Sequence, residues 1–239
     1  MIEFRAAAVV APTPEGETTV LHPTTLTLTE RRVSIIGANG SGKSTLARLI
    51  NGLVEPSSGA VTLTATADGT PLDTRAHGAA VRRAVGFVFT DPAAQLIMPT
   101  VAEDVALSLR RRIRAKAERR SAALAVLERF GLASLADRSV HTLSGGQKQL
   151  LAIAAVLATE PTVVVADEPT TLLDLRNAIR IGELLMGLPQ QVIVVTHDLE
   201  LAARADRTLV VADGRVVFDG DPAQAIAHYR ERAAAEPSA

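Results

Sequence analysis

The chain contains no cysteine and no tryptophan, and it has a single tyrosine. Without thiols there is no disulfide framework, no thiolate metal site and no cysteine nucleophile. A dominant charge is missing too: 25 Lys and Arg against 26 Asp and Glu leave a formal charge of −1. The molecule as a whole therefore has no strong electrostatic pull toward nucleic acid or an acidic membrane, and any basic surface must be local. The five histidines are scattered without metal-ligand spacing. The longest apolar run, Leu150–Ala158, falls far short of the roughly 18 residues that a spanning helix needs. The opening residues Met1-Ile2-Glu3-Phe4-Arg5 lack the basic and apolar regions of a secretory signal. These absences point to a globular cytoplasmic protein, one that would need another subunit to cross a membrane.

What is present suits one large α/β domain: 239 residues, of which 47% are hydrophobic, enough for a sizeable core. Four short apolar runs, Val33–Ile36, Phe87–Phe89, Val163–Ala166 and Val192–Val195, read as parallel strands buried on both faces. Each leads into a polar loop, where an α/β sheet collects ligand-binding residues. Alternating segments at Thr24–Thr29, and at Thr208–Val211 joined to Arg215–Phe218 through Asp213-Gly214, read as antiparallel strands, the second pair being a hairpin. They are expected to form a small antiparallel layer flanking the parallel core. From residue 90 to 142 the strand pattern gives way to Ala, Leu, Arg and Glu, good helix formers, which predicts an inserted helical subdomain. The core then comprises about residues 1–89 and 143–220, with a C-terminal extension over 221–239. Arg110–Arg120 holds seven basic residues in eleven. On one continuous helix they would spread around the whole circumference, so a solvated helix is the expectation there.

Gly37-Ala38-Asn39-Gly40-Ser41-Gly42-Lys43-Ser44 matches the phosphate-binding loop pattern, directly after a strand and before the helical segment that starts near Thr45. The glycines let successive backbone N–H groups point at one anion, Lys43 reaches the β and γ phosphates, and Ser44 ligates Mg²⁺. Asp167-Glu168-Pro169 closes the third apolar run. Alone, such an acidic pair usually begins a loop or caps a helix. Downstream of a phosphate loop, Asp167 can hold the Mg²⁺ shell and Glu168 can polarise the attacking water. His197 follows the fourth run in Thr196-His197-Asp198, at the same expected sheet edge, and is assigned a γ-phosphate contact.

These motifs, together with Leu143-Ser144-Gly145-Gly146-Gln147 and Leu173-Asp174, resemble the ATP-binding cassette family from about Val33 to Gly220. Without the family, Leu143–Gln147 reads only as a helix N-terminus with a Ser cap. The resemblance implies an α/β, P-loop NTPase (RecA-like) core and a head-to-tail dimer with a second cassette. In that dimer Ser144, Gly145, Gly146 and Gln147 of one subunit close over ATP held by the phosphate loop and Thr45 of the other, while Asp174 links the two sites. Further stretches, Val85–Phe89 with Asp91-Pro92 and Gln95, Pro99–Val105, and Gly214–Gly220, look like the ATPase subunits of energy-coupling-factor importers of vitamins and metal ions. Thr29–Arg32 and Phe89–Pro92 look most like the biotin-uptake members. The implied partners are a transmembrane coupling subunit and a substrate-binding membrane subunit, with no nucleic acid, and the implied location is the cytoplasmic face of the membrane. A membrane partner is expected on a cleft bordered by Thr90–Asp104, with Gln95 in contact. The rival is a soluble cassette ATPase of repair or translation, which usually carries long coiled coils or a second cassette; this chain shows neither.

Two positions depart from the family pattern. Thr90 stands where a Gln usually reaches Mg²⁺ and water, so a metal role for its shorter side chain needs a closer loop or a bridging water. Near Val10-Ala11, where many members place an adenine-stacking Tyr, no aromatic follows Phe4 in the N-terminal segment, so base selectivity should be modest.

Overall fold

In a computed structural model, which describes residues 1–14, 16–65 and 69–235, the chain runs β1 (Ile2–Thr13), β2 (Gly16–Leu28), β3 (Arg32–Ile36), α1 (Lys43–Ile50), β4 (Ser58–Leu63), β5 (Leu72–Asp73), α2 (Gly78–Ala84) and β6 (Val85–Val88). It continues through α3 (Val101–Leu109), α4 (Lys116–Arg129), α5 (Gly145–Leu157), β7 (Val163–Asp167), α6 (Leu175–Gly187) and β8 (Gln191–Val195). It closes with α7 (Leu199–Ala202), β9 (Arg207–Ala212), β10 (Arg215–Gly220) and α8 (Pro222–Ala235). Two sheets result: an antiparallel one in the order β2-β1-β4-β5, and a six-stranded one in the order β10-β9-β3-β8-β7-β6.

The four apolar runs become β3, β6, β7 and β8, paired in parallel. Their side chains alternate between two cores, as the period of a strand demands. Val164, Ala166, Val192 and Val194 face a cluster shared with helices α3 to α6, whereas Val163, Val165, Ile193 and Val195 face α1 and the antiparallel sheet. Both faces are thus covered, which is why these strands are continuously hydrophobic. Within 90–142 the helices are α3 and α4, and their apolar faces share that first cluster with α5 and α6.

Two expectations are corrected. The β9–β10 hairpin does not belong to the flanking antiparallel layer: β9 pairs in parallel with β3 and forms the edge region of the six-stranded sheet. A hairpin turn specifies how its two strands pair with each other but not which sheet they join. Arg110–Arg120 is not one helix either, because α3 stops at Leu109 and α4 starts at Lys116. The turn between them is closed by the Arg119 guanidinium, which donates to the carbonyls of Ile113 and Arg114 at 2.9 and 3.1 Å.

Arg32, part of one of the biotin-type stretches, has a structural use. Its buried guanidinium donates to the carbonyls of Met186 at 2.9 Å and Gln190 at 2.8 Å, and also to Leu188. It thereby satisfies carbonyls in the last turn of α6 and just beyond it, which the helix itself leaves unpaired.

Candidate active site

The carboxyl ends of β3, β7 and β8 lie side by side, and the loops that leave them carry the predicted chemistry. After β3 the chain turns through residues 37–42 into α1. Gly37 is required by close approach: at φ 150° a Cβ would come within 2.1 Å of the Val211 carbonyl on β9. Gly42, at φ 102°, stands at the start of α1 with the Val20 carbonyl 2.9 Å from any added Cβ. The β9–β10 turn supports this loop from outside, since the Gly214 amide donates to the Ser41 carbonyl at 2.9 Å and the Gly214 carbonyl accepts from the His22 amide at 2.8 Å.

Lys43 reaches back over the loop and donates to the Ala38 carbonyl at 2.7 Å. Burial lowers its ammonium pKa, an effect opposed by the Glu168 and Asp167 charges. The Ser41 hydroxyl is buried and has no hydrogen-bond partner among the described residues. A buried cation, an orphaned hydroxyl and a helix N-terminus at one loop fit the triphosphate of a nucleotide. Asn39 and Gly40 are exposed on the same loop, and Thr45 sits in the first turn of α1.

Asp167 ends β7 almost fully buried. Ser44 donates to its Oδ1 at 2.8 Å, and Arg48 lies 3.2 Å from its Oδ2. Hydroxyl and carboxylate are hard oxygen donors, but among the described residues no group of three or more His, Asp or Glu could enclose a metal by itself. That donor set suits a hard divalent ion completed by phosphate and water. Thr90 is placed beside this pair, yet its hydroxyl donates to the Asp167 carbonyl at 2.9 Å.

Glu168 adopts φ 52°, a left-handed conformation rare for a residue with a side chain. Its amide donates to the Val195 carbonyl at 2.9 Å, joining the ends of β7 and β8. Its Oε2 lies 2.7 Å from His197 Nδ1 and accepts from Thr171 Oγ1 at 3.0 Å. Strained backbone of this kind is characteristic of sites where a side chain must be aimed.

The structure does not bring every predicted residue together. Ser144 and Gln147 form a reciprocal capping box at the start of α5, with the Ser144 amide donating to Gln147 Oε1 at 2.9 Å. Among the described residues no hydrogen bond or ion pair joins 143–147 to the phosphate loop. Gly146 instead meets Asn177, whose side chain would lie 2.5 Å from any added Cβ. Asn177 donates from its amide and its side chain to the two oxygens of Asp174, at 2.9 and 2.8 Å. Those two bonds, the backbone one first, hold the Asp174 carboxyl below its usual range.

Arg48, Thr171 and Asn177 were not singled out from the sequence. A local signal existed: each stands three or four residues after a predicted site residue, a spacing that puts both on one face of a helix or within one turn.

A cleft of about 260 Å³ lies outside this centre, lined by Asn51, Arg82, Gly86, Gln95, Ile97 and Asp104 among others. Gln95 turns inward, its Oε1 accepting from the Phe89 amide at 3.2 Å. Asp104 Oδ1 accepts from the amides of Ile97 and Met98 at 2.9 and 3.0 Å, so the buried carboxylate shapes the loop that leaves Ile97 71% exposed.

Comparison with known proteins agrees with this geometry. The family model described as ABC transporter matches residues 21–171. A protein from Rhizobium etli named biotin transport ATP-binding protein BioM is 45% identical over 235 residues, 98% of this chain and 99% of its own. One from Lactiplantibacillus plantarum named energy-coupling factor transporter ATP-binding protein EcfA1 is 38% identical over 200 residues, 82% of this chain and 69% of its own. Among solved structures, the dimeric post-hydrolysis state of the ATP-binding cassette MJ0796 bound to ADP and Pi superposes with a TM-score of 0.81 at 33% identity, covering 93% of this chain and 99% of that one. With its phosphate loop, buried Asp167 and capped Ser144 loop set on this sheet, the chain belongs to the ABC transporter family.

Proposed function

We propose that this chain is the ATP-hydrolysing subunit of an energy-coupling-factor-type importer of biotin or a related micronutrient, working as a dimer of cassettes on the cytoplasmic face of a membrane. The observation that carries the dimer is the separation of its two phosphate-handling loops: Leu143–Gln147 is intact but bonded to nothing at residues 37–45 of its own chain. Such a loop is completed by a second copy.

In the proposed reaction the amides of residues 37–44 and the Lys43 ammonium hold the β and γ phosphates of ATP. The Ser44 hydroxyl and the Asp167 carboxylate would hold Mg²⁺, which would supply charge neutralisation to the triphosphate. Glu168 orients a water and draws its proton, while His197 and Thr171, both bonded to Glu168 Oε2, keep that carboxylate aimed, and His197 contacts the transferred phosphoryl group from the β8 side. Ser144, Gly145 and Gln147 of the facing subunit enclose the γ-phosphate, and Asp174, tied to Asn177, couples that enclosure to the other site. No described helix is long and apolar enough to cross a membrane. The solute path therefore falls to a transmembrane partner, docked by residues 90–142 at the cleft around Gln95 and Ile97.

Glu168→Gln removes the base and keeps the shape. It should give a dimer that accumulates with ATP and Mg²⁺ and turns over at least about a hundredfold more slowly. Size-exclusion chromatography with light scattering reads the result, and a variant that stays monomeric at saturating ATP would sink the composite site.

A further inference from the structure

We propose that the basic corner between α3 and α4 rests on the anionic surface of a lipid bilayer. The cations of Arg110–Arg120 do not circle one helix; they gather where α3 ends, the chain turns, and α4 begins. Two of the seven have acidic partners: Arg112 pairs with Glu160 at 2.8 Å and Arg120 with Asp137 at 2.7 Å. Arg110, Arg111, Arg114 and Lys116 are exposed and have no acidic group within ion-pairing distance among the described residues. In a chain of net charge −1 this is a strong local excess, and nothing in the proposed hydrolysis uses it.

The corner also borders a groove of about 590 Å³ between the two helices. Met98, Ala102, Ala106 and Leu107 make its apolar part, and Arg110, Lys116, Arg119 and Arg120 its basic part; Glu103, which accepts from the Thr100 hydroxyl at 2.7 Å, is the one acid lining it. Apolar floor and cationic rim together match an amphiphile with an anionic headgroup. Leu107 lines both this groove and the cleft assigned to the transmembrane partner, which puts the corner on the membrane side of the cassette. That placement rests on the importer reading. Arg110, Arg111, Arg114 and Lys116 stand exposed on long flexible stems that no ion pair holds among the described residues, which suits laterally mobile headgroups better than one protein epitope. No aromatic side chain occurs between Phe89 and Phe130, so the corner lacks the stacking platforms of a single-strand nucleic-acid binder.

The test is flotation of the purified cassette with vesicles of phosphatidylcholine alone or mixed with phosphatidylglycerol. Each cation near an anionic surface multiplies partitioning by about fivefold. R110Q/R111Q/R114Q should therefore weaken anionic-vesicle binding by on the order of a hundredfold, while leaving ATP hydrolysis in solution unchanged as proof of folding. A control of equal charge, R204Q/R215Q/R230Q, should weaken it far less. Equal binding to neutral and anionic vesicles overturns the proposal, as does an equal loss in both triple variants, or tighter salt-sensitive capture by single-stranded RNA than by the vesicles. The two readings fail separately, because co-purification with a transmembrane subunit in detergent reports on the importer assignment and anionic flotation reports on the corner.

Discussion

Thr90 donates its hydroxyl to the main-chain carbonyl of Asp167 at 2.9 Å. The side chain that stands in for the family's usual Gln is thereby spent on the backbone of the acidic residue instead of reaching into the space beside it. It steadies the end of β7 and, in the proposed reaction, leaves the orienting of water to Glu168.

Thr90→Gln should accordingly raise hydrolysis several-fold in the assembled complex, because the longer side chain restores a carbonyl within reach of metal and water. Thr90→Val, close in shape, should cost about 1 kcal/mol through the lost hydrogen bond. Steady-state ATPase rates and thermal melts separate the two effects. A Thr90→Gln enzyme no faster than the parent removes the explanation.

In the proposed reaction Arg48 would compete with Mg²⁺ for Asp167. Its guanidinium sits 3.2 Å from Oδ2 while Ser44 holds Oδ1. Arg48→Met should lower the free Mg²⁺ needed for half-maximal hydrolysis by a few-fold, with a smaller effect at saturating Mg²⁺, since the pair is partly open to solvent and its charge is screened. Rates measured across a Mg²⁺ titration decide, and a higher Mg²⁺ requirement would mean that Arg48 holds Asp167 in place for the ion instead.

Asp104 gives a pH signature. Burial raises its carboxyl pKa, against the amides of Met98 and Ile97 that favour the anion. With the folded pKa above the unfolded one, the native protein keeps this proton longer. This group's contribution to stability is therefore fully present at acid pH and is lost as pH rises through the folded value. Both amides donate to one oxygen, which an amide can replace. D104N should then match or exceed the parent's stability near about pH 8 and lose that advantage on acidification, whereas D104A should cost ~1–3 kcal/mol at either pH. Denaturant midpoints across pH test the sign; a D104N protein less stable than the parent only at high pH contradicts it.

Base selectivity should be weak. Val10, in the region where an aromatic is expected to stack, is an aliphatic residue whose amide donates to Ser57 Oγ at 3.0 Å, so it offers apolar contact without a ring face. Competition binding should show ATP favoured over GTP by less than about a hundredfold, or ~2.7 kcal/mol, and a larger ratio would reveal a recognition element elsewhere.

The phosphate loop, the Asp167-Glu168 pair and the parallel core were legible because their signals are local. A run of Val and Ile buried on both faces needs only a few consecutive residues, and so does a glycine-rich turn between a strand and a helix. Reading failed where a distant segment decides. Nothing within Arg207–Gly220 says that β9 will lie against β3, and nothing in the turn Asp213-Gly214 announces that it will hold the Ser41 carbonyl. The basic run looked like a solvated helix because helix-forming residues continue through it; the break after Leu109 goes with helices α3 and α4 packing against one another and α5.

The sequence by itself determined the chemistry available to this protein: which residues can hold phosphate, which carboxylates can serve a metal and a water, and that a second loop waits to be used. Only the tertiary structure decided the partnerships, placing Thr171 and His197 on one oxygen of Glu168, Arg48 against Asp167, and Leu143–Gln147 with Asn177 and away from its own phosphate loop. The reason is that residue type and spacing set what a short segment can do, while strand order and helix packing set which segments meet.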